Sequence, residues 1–257
     1  MTLSAQAVAA LARNTAGVRI EVVERTGSTN ADLLARAPAL AGPLLLAALE
    51  QTAGRGRAGR SWLSAPDASL TFSLAWPFEG GPGRLAGLPL AVGVALAETL
   101  RALDVGVQLK WPNDLLKDGS KLAGILVETQ TVDGVTWAVI GVGLNLDLPD
   151  ALEAQIGRPA ASATWLARMD RNELLARLLD SLAAMAAEFA QHGFGAFCGR
   201  WNRAHAWHGF PVVILDRGEV VHQGVAMGVD ESGQLQLDTA SGRIAVMSGD
   251  VSLRLKE

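Results

Sequence analysis

Three glycines and three arginines fall within seven residues in Gly54-Arg55-Gly56-Arg57-Ala58-Gly59-Arg60, and Ser61-Trp62 follows directly. Glycine allows positive φ angles and lets backbone N–H groups come close to a ligand. The arginine side chain is a planar fork that matches pairs of carboxylate or phosphate oxygens. The combination predicts a loop that cradles an anion.

The spacing of this loop resembles two nucleotide-binding motifs. Gly54-x-Gly56-x-x-Gly59 matches the dinucleotide fingerprint, and Gly54-x-x-x-x-Gly59-Arg60-Ser61 approximates a P-loop with arginine in the lysine position. Both motifs must open a helix whose N-terminus holds the phosphates. Pro66 comes too soon after Trp62 for such a helix. The sequence therefore argues against both motifs.

Composition limits the remaining interpretations. The 257 residues are 49% hydrophobic and only 19% charged, which predicts a large core and excludes a disordered chain. The formal net charge of −4 argues against a globally basic nucleic-acid-binding protein. Two weaker interpretations of the loop stay open. It could be an Arg-Gly segment for single-stranded nucleic acid, or a surface turn with solvated arginines.

Three features indicate a cytoplasmic protein that does not enter a membrane. The longest stretches without a charge, such as residues 85–97 and 134–146, have 13 residues, whereas a membrane span needs about 20. Residues 1–12 carry no side-chain charge, so the basic leader of a secretory signal is missing. Cys198 is the single cysteine and cannot form an internal disulfide, which fits a reducing compartment.

Hydrophobic periodicity predicts three helices, at residues 31–37, 90–103 and 171–191. Thr29 with Asp32, and Asp170 with Glu173, are expected to form capping boxes at the first and third. Apolar runs of strand length cover residues 44–49, 70–76, 107–111, 122–128 and 135–142. Strands outnumber helices and do not alternate strictly with them, so we expect an α+β fold with a mixed sheet.

The pattern changes after His208, where short alternating runs are separated by turn clusters. The clusters are Asp216-Arg217-Gly218, Asp230-Glu231-Ser232-Gly233 and Ala240-Ser241-Gly242. Four or five strands in this space predict a small barrel of the SH3-like kind. We therefore expect two domains, residues 1–208 and 209–257.

Four other segments carry polar side chains beside apolar runs. They are Ser28-Thr29-Asn30, Lys110-Trp111-Pro112-Asn113-Asp114, the run from Lys121 to Glu128, and Gly141-Val142-Gly143-Leu144-Asn145. Each has an ordinary explanation, namely a helix cap, a proline turn, a solvated lysine and a β-bulge. The first also gathers hydroxyl and amide groups that would suit a neutral ligand with a carbonyl flanked by N–H groups.

Together these segments and the glycine-arginine loop, with its flank Gln51-Thr52-Ala53, resemble biotin protein ligase, the family that biotinylates carboxylase carrier domains. The segments occur in the family's order between about residues 21 and 147. The ending Met247-Ser248-Gly249-Asp250-Val251-Ser252-Leu253-Arg254 is similar to the family's C-terminal domain. The loop with its flanks is highly specific, whereas the other segments would be weak without it.

The resemblance implies a mixed-sheet catalytic domain like that of class II aminoacyl-tRNA synthetases, followed by an SH3-like domain. It implies that biotin and Mg-ATP give biotinyl-5′-AMP and pyrophosphate, and that the biotinyl group then passes to a carrier lysine. Water would destroy this mixed anhydride, so we expect residues 54–60 to order over it and Trp62 to help cover it.

The resemblance also implies roles for individual residues. Biotin would be held by Ser28, Thr29, Asn30, Gln51, Arg55, Gly56, Arg57 and Lys121. The nucleotide would be contacted by Arg57, Arg60, Trp62, Lys121 and Asn145. Arg57 and Lys121 would be catalytic, and Asp114 would assist the acceptor amine. No metal ligand is assigned, because Mg²⁺ accompanies ATP. His192, His205, His208 and His222 are interpreted as surface or packing residues.

The sequence departs from some family members at its N-terminus. Those members carry a helix-turn-helix domain of roughly 60 residues, whereas only about 20 residues precede the first catalytic strand here. We therefore expect a ligase that does not bind DNA. Two rivals remain, a lipoate or octanoate ligase and a nucleic-acid-binding module. The sequence leaves open the choice between a monomer and a homodimer, since an exposed sheet edge could pair with a second subunit or with the carrier.

Overall fold

The computed structural model describes residues 2–13, 15, 17–156 and 160–256. Its larger sheet has seven strands: β1 (Arg19–Thr26), β2 (Leu44–Gln51), β3 (Ser69–Glu79), β4 (Gln108–Lys110), β5 (Asp114–Lys117), β6 (Ser120–Val132) and β7 (Val135–Asn145). They lie in the order β1-β2-β3-β7-β6-β5-β4. β1 and β2 are parallel, and every other neighbouring pair is antiparallel. The predicted mixed sheet is confirmed.

Helices cover both faces of this sheet. They are α1 (Ala5–Leu11), α2 (Thr29–Arg36), α3 (Leu88–Arg101), α4 (Asp150–Ile156), α5 (Arg171–His192) and α6 (Gly195–Ala204). Successive residues of β2 belong to different cores because side chains alternate across a strand. Leu45 lies in the main core with α3, α5 and α6, whereas Leu44 and Leu46 face Leu33 of α2. The sheet thus separates α2 from the other long helices.

One segment of the described chain, Pro82–Arg101, is long and apolar enough to cross a membrane by length and composition alone. Most of it is buried within the protein. Its helical part, α3, has ten buried residues and lies in the same core as α5. A core helix has the same composition as a membrane span, and burial against α5 accounts for the apolar character of this one.

The C-terminal residues form a second, five-stranded sheet. Its strands are β8 (Pro211–Asp216), β9 (Glu219–Val229), β10 (Leu235–Thr239), β11 (Gly242–Val246) and β12 (Val251–Leu255), in the order β11-β10-β9-β8-β12. All neighbouring pairs are antiparallel. The three turn clusters predicted from sequence lie between these strands, and Arg217, Gly218, Gly233 and Gly242 there have positive φ.

The two sheets share one hydrophobic core. Val212, Leu237 and Leu253 of the C-terminal sheet belong to the same buried cluster as the main core. The buried Trp111 indole also donates to the carbonyl oxygen of Gly233 at 3.2 Å. Cys198, the free cysteine, lies on α6 and points its sulfur at the carbonyl oxygen of Val229. Burial raises the pKa of this thiol.

Candidate active site

Two of the hollows around the glycine-arginine loop share Lys121 as a lining residue. The first, partly open to solvent, lies among the start of α2, the end of β2 and the middle of β6 and β7. The second, also partly open to solvent, lies beside β6, the end of β7 and α4. Arg60, Ser61, Trp62 and Lys121 line both. We call these the polar hollow and the outer hollow.

The loop folds back on itself as a short hairpin. The Gly56 N–H donates to the carbonyl oxygen of Arg60 at 2.7 Å, and the Trp62 N–H donates to that of Gly54 at 2.9 Å. A single 3₁₀ turn at its tip ends in Gly59, where φ is +68°. The chain then runs to β3 without a helix. This geometry excludes the dinucleotide fingerprint and the P-loop, as the early proline predicted.

The floor of the polar hollow is a chain of hydrogen-bonded side chains. The Thr29 hydroxyl lies 2.6 Å from the hydroxyl of Ser73, and Ser73 donates to Asn30 Oδ1 at 2.6 Å. Gln51 Oε1 accepts from the backbone N–H of Thr29 at 2.9 Å. Thr29, Asn30 and Ser73 are at most 3% exposed. These groups form a buried set of donors and acceptors that line the polar hollow.

The cap of α2 differs from the prediction. Ser28, not Thr29, is the N-cap, and its hydroxyl accepts from the N–H of Ala31. Asp32 instead accepts from the hydroxyl of Thr26. α2 therefore begins at Thr29, which turns Thr29 and Asn30 towards the sheet. At α5 the predicted cap is confirmed, since Asp170 is the N-cap and accepts from the N–H of Asn172, but Glu173 pairs with Arg177 instead of completing a capping box.

A cationic wall closes the other side of the polar hollow. Lys121 Nζ lies 2.5 Å from Asp114 Oδ1, and both side chains are less than one fifth exposed. Arg57 donates to Asn113 Oδ1 at 3.0 Å and to the carbonyl oxygen of Gly249, in the turn between β11 and β12. Burial and the neighbouring Arg60 lower the pKa of the Arg57 guanidinium, which still stays protonated.

Trp62 forms the partition between the two hollows. Lys121 Nζ lies 5.6 Å from the centre of its ring. A Cβ atom placed on Gly143 would come within 2.2 Å of the indole, so only glycine leaves room for the ring at this point. The expectation that Trp62 helps to cover the adenylate stays a prediction, and the indole lines both hollows.

The structure brings most of the expected site residues together. Ser28, Thr29, Asn30, Gln51, Arg55, Gly56, Arg57, Arg60, Trp62, Asp114 and Lys121 all line the polar hollow. Asn145 lines only the outer hollow, and its buried amide donates to the carbonyl oxygen of Ala161 at 3.1 Å. Sequence reasoning assigned no role to Ser73, Asn113 or Glu128. Asn113 and Glu128 lie in segments that the sequence had singled out, and Ser73 carried a signal of its own, as a polar residue inside an apolar run.

Comparisons with known proteins identify the family. A family model described as the biotin/lipoate A/B protein ligase family matches residues 22–145, and one described as the biotin protein ligase C terminal domain matches residues 208–254. The biotin--[acetyl-CoA-carboxylase] ligase of Paracoccus denitrificans is 34% identical over 239 residues, which cover 90% of this chain and 98% of that protein. The chain belongs to the biotin protein ligase family.

Other family members agree with this assignment. The bifunctional ligase/repressor BirA of Escherichia coli (strain K12) is 34% identical over 249 residues, which cover 94% of this chain and 76% of BirA. The structure of biotin protein ligase from Aquifex aeolicus in complex with biotin and ATP aligns with a TM-score of 0.77 at 27% identity. That alignment covers 92% of this chain and 99% of the Aquifex chain. The family fold is therefore confirmed across both sheets.

The contact of Gly143 with Trp62 gives a first testable prediction for this biotin protein ligase. In Gly143→Ala the added methyl group must displace the indole, which shapes the outer hollow. We expect the KM for ATP in biotin-dependent ATP–pyrophosphate exchange to rise about tenfold, the cost of a moderate overpacking. Gly106→Ala is the matched control, because a Cβ there meets nothing within 4 Å. Equal KM values for ATP in the two variants would contradict the role of Trp62 as the partition between the hollows.

Proposed function

We propose that the protein joins biotin to ATP, giving biotinyl-5′-AMP and pyrophosphate, and then transfers the biotinyl group to a lysine of a carboxylase carrier domain. One observation carries the proposal. Lys121 lines both the polar hollow and the outer hollow, so an acid in the first and a phosphate in the second would meet at its ammonium group. The family assignment agrees with this reaction.

The first step brings two anions together, a carboxylate and an α-phosphate. No covalent bond to the protein is needed, but cationic groups must neutralise the transferring centre and hold the line of attack. Arg57 and Lys121 supply two such charges at one wall of the polar hollow. Mg²⁺ enters as part of the Mg-ATP substrate. Its chemistry is to neutralise phosphate charge, and no cluster of three His, Cys, Asp or Glu ligands occurs within the described residues.

The second step requires an uncharged amine on the carrier lysine. Asp114 is the carboxylate nearest to the reacting centre, because it pairs with Lys121. We propose that Asp114 accepts the proton of the incoming amine after Lys121 has turned to the acyl phosphate. The amine then attacks the acyl carbon, the C–O bond to phosphate breaks, AMP leaves with both electrons of that bond, and the surplus proton on the nitrogen passes to the departing phosphate.

The remaining residues bind the two substrates. Ser28, Thr29, Asn30, Gln51, Arg55 and Gly56 would hold biotin together with Arg57 and Lys121. Arg60, Trp62 and Asn145 would contact the nucleotide. The hydroxyl and amide groups of the polar floor suit a cyclic urea, which offers N–H donors and a carbonyl acceptor. A lipoyl chain presents no such groups, so the floor favours biotin over lipoate.

Mass spectrometry tests the whole reaction. The protein is mixed with ATP, Mg²⁺, biotin and a carboxylase carrier domain, with omission of ATP as the control. We expect one biotinyl group on a single carrier lysine, and no competition from a tenfold excess of lipoate. Attachment of lipoate instead would assign the chain to the lipoate branch. Absence of both adducts, with no pyrophosphate released, would overturn the proposal.

Several predictions from sequence remain proposals. We propose a boundary between two domains at residues 208 and 209, a cytoplasmic location, and no binding to DNA or to membranes. The formal net charge of −4 supports the absence of DNA binding. The choice between a monomer and a homodimer stays open.

A further inference from the structure

We propose that Glu128 is a positioning residue that sets the hydrogen-bond polarity of the polar floor and thereby the affinity for biotin. It touches the floor only through Asn30, and it does not line the polar hollow itself. The inference rests on the proposed function, because it concerns how the pocket recognises the cyclic urea of biotin.

The neighbours of Asn30 determine which way its amide points. Asn30 Nδ2 lies 2.9 Å from Glu128 Oε2 and 3.3 Å from the carbonyl oxygen of Leu126. A carboxylate and a carbonyl can only accept hydrogen bonds. In the reversed orientation, Asn30 Oδ1 would face two acceptors in a site that is 3% exposed. The amide nitrogen must therefore face Glu128, and Oδ1 must face the floor.

The orientation of the Asn30 amide fixes the direction of the hydrogen bonds that run from Asn30 through Ser73 to Thr29. Because Asn30 Oδ1 is an acceptor, the single hydroxyl hydrogen of Ser73 is donated to it, at 2.6 Å. Ser73 can then only accept at its 2.6 Å contact with Thr29. The hydroxyl hydrogen of Thr29 consequently goes to Ser73, although Gln51 Oε1 also lies within reach of it, at 3.1 Å.

The direction of these hydrogen bonds decides whether a ligand meets donors or acceptors at the floor of the polar hollow. With its hydrogen given to Ser73, Thr29 Oγ1 presents lone pairs to the hollow and accepts an N–H group. Gln51 Oε1 accepts the backbone N–H of Thr29 at 2.9 Å. The floor is thus prepared for an N–H donor, as in a cyclic urea. Gly141 supports the arrangement, since a Cβ there would lie 2.3 Å from Asn30 Oδ1.

An isosteric substitution of Glu128 removes its control over the orientation of the Asn30 amide and keeps the size of the side chain. In Glu128→Gln the new amide can donate to Asn30, so only the weaker contact with the Leu126 carbonyl oxygen, at 3.3 Å, still opposes turning of the Asn30 amide and reversal of the chain. We expect the KM for biotin in ATP–pyrophosphate exchange to rise about tenfold. We expect kcat and the KM for ATP to stay within about twofold, because Glu128 lines neither the polar hollow nor the outer hollow. A general loss of folding would lower kcat instead.

Glu50→Gln is the matched control, since it removes a half-exposed carboxylate of the same sheet that pairs with Arg25 at the surface. Its KM for biotin should not change.

A double variant that exchanges the amide and the carboxylate between positions 30 and 128 tests whether the affinity for biotin can be restored. In Asn30→Asp/Glu128→Gln, the carboxylate introduced at position 30 accepts from Ser73 and from the amide introduced at position 128, which restores the original direction of the chain. We expect its KM for biotin to be at least threefold below that of Glu128→Gln, and Asn30→Asp alone to bind biotin worse than either.

The outcomes separate this inference from the proposed function. If the unchanged protein shows no biotin-dependent exchange, the proposed function fails. If the unchanged protein is active but Glu128→Gln has a normal KM for biotin, the role of Glu128 alone is overturned. A parallel fall of kcat in Glu128→Gln, with no rescue by the second substitution, also overturns it. Thermal unfolding of each variant identifies those that do not fold.

Discussion

Lys121→Ala is expected to lower biotin-dependent ATP–pyrophosphate exchange by at least about a hundredfold, the usual effect of deleting one charge-stabilising donor. Lys121 is the ammonium group placed where the polar hollow and the outer hollow meet. Without it, the negative charge that develops between carboxylate and phosphate loses its partner. Asp114 would also remain as a largely buried carboxylate without its ion pair, which adds repulsion towards both anions.

Lys117→Ala is the matched control for this prediction. Lys117 lies on the neighbouring strand β5, and its ammonium group pairs with the exposed Asp118 at 2.7 Å. We expect its exchange rate to stay within about twofold of the unchanged protein. Arg57→Ala should resemble Lys121→Ala, because Arg57 belongs to the same wall. Near-normal exchange in either variant would remove that residue from the mechanism.

Acid is expected to destabilise the fold through His205. Its imidazole is 6% exposed and stacks on Trp201 with ring centres 4.7 Å apart. Neither ring nitrogen has a hydrogen-bond partner among the described residues. Burial, with a smaller contribution from the facing His208, lowers the pKa of His205 to about 4, from 6.5. The unfolded chain therefore takes up a proton at a higher pH than the folded protein does.

The direction of the pH effect follows from this difference. The contribution of the uncharged His205 to the free energy of unfolding is fully present above about pH 6.5 and is lost as the pH falls towards about 4. Over that window the free energy of unfolding should fall by about 3 kcal/mol. Urea unfolding at several pH values measures this fall in the free energy of unfolding. His205→Phe, which keeps a ring against Trp201, should remove that part of the decline, whereas the exposed His222→Phe should not. If the free energy of unfolding fell equally steeply with pH in both variants, the pH effect could not be assigned to His205.

The sequence predicted the long, strongly patterned elements of the fold. α5 was predicted at residues 171–191 and is found at Arg171–His192, and the mixed sheet and its five apolar strands were anticipated. The sequence indicated β1 only through the family resemblance, which implied a first catalytic strand near residue 21, and it did not indicate α6. β1 lies at the edge of the sheet, and Ile20 and Val22 alternate there with charged residues, but Val23 breaks the alternation after four residues, so the run is too short to predict a strand.

The family and the residues around the two hollows also followed from sequence, because a glycine-arginine loop of this spacing is a local feature. Its neighbours in space lie far away in the chain. Gly249, the partner of Arg57, follows it by 192 positions, and Glu128, the partner of Asn30, follows it by 98. The direction of the hydrogen bonds from Glu128 to Thr29 depends on all of these neighbours at once, so tertiary structure alone decides it. Local pattern determines which groups the chain carries, whereas folding determines which donors and acceptors are left to meet a ligand.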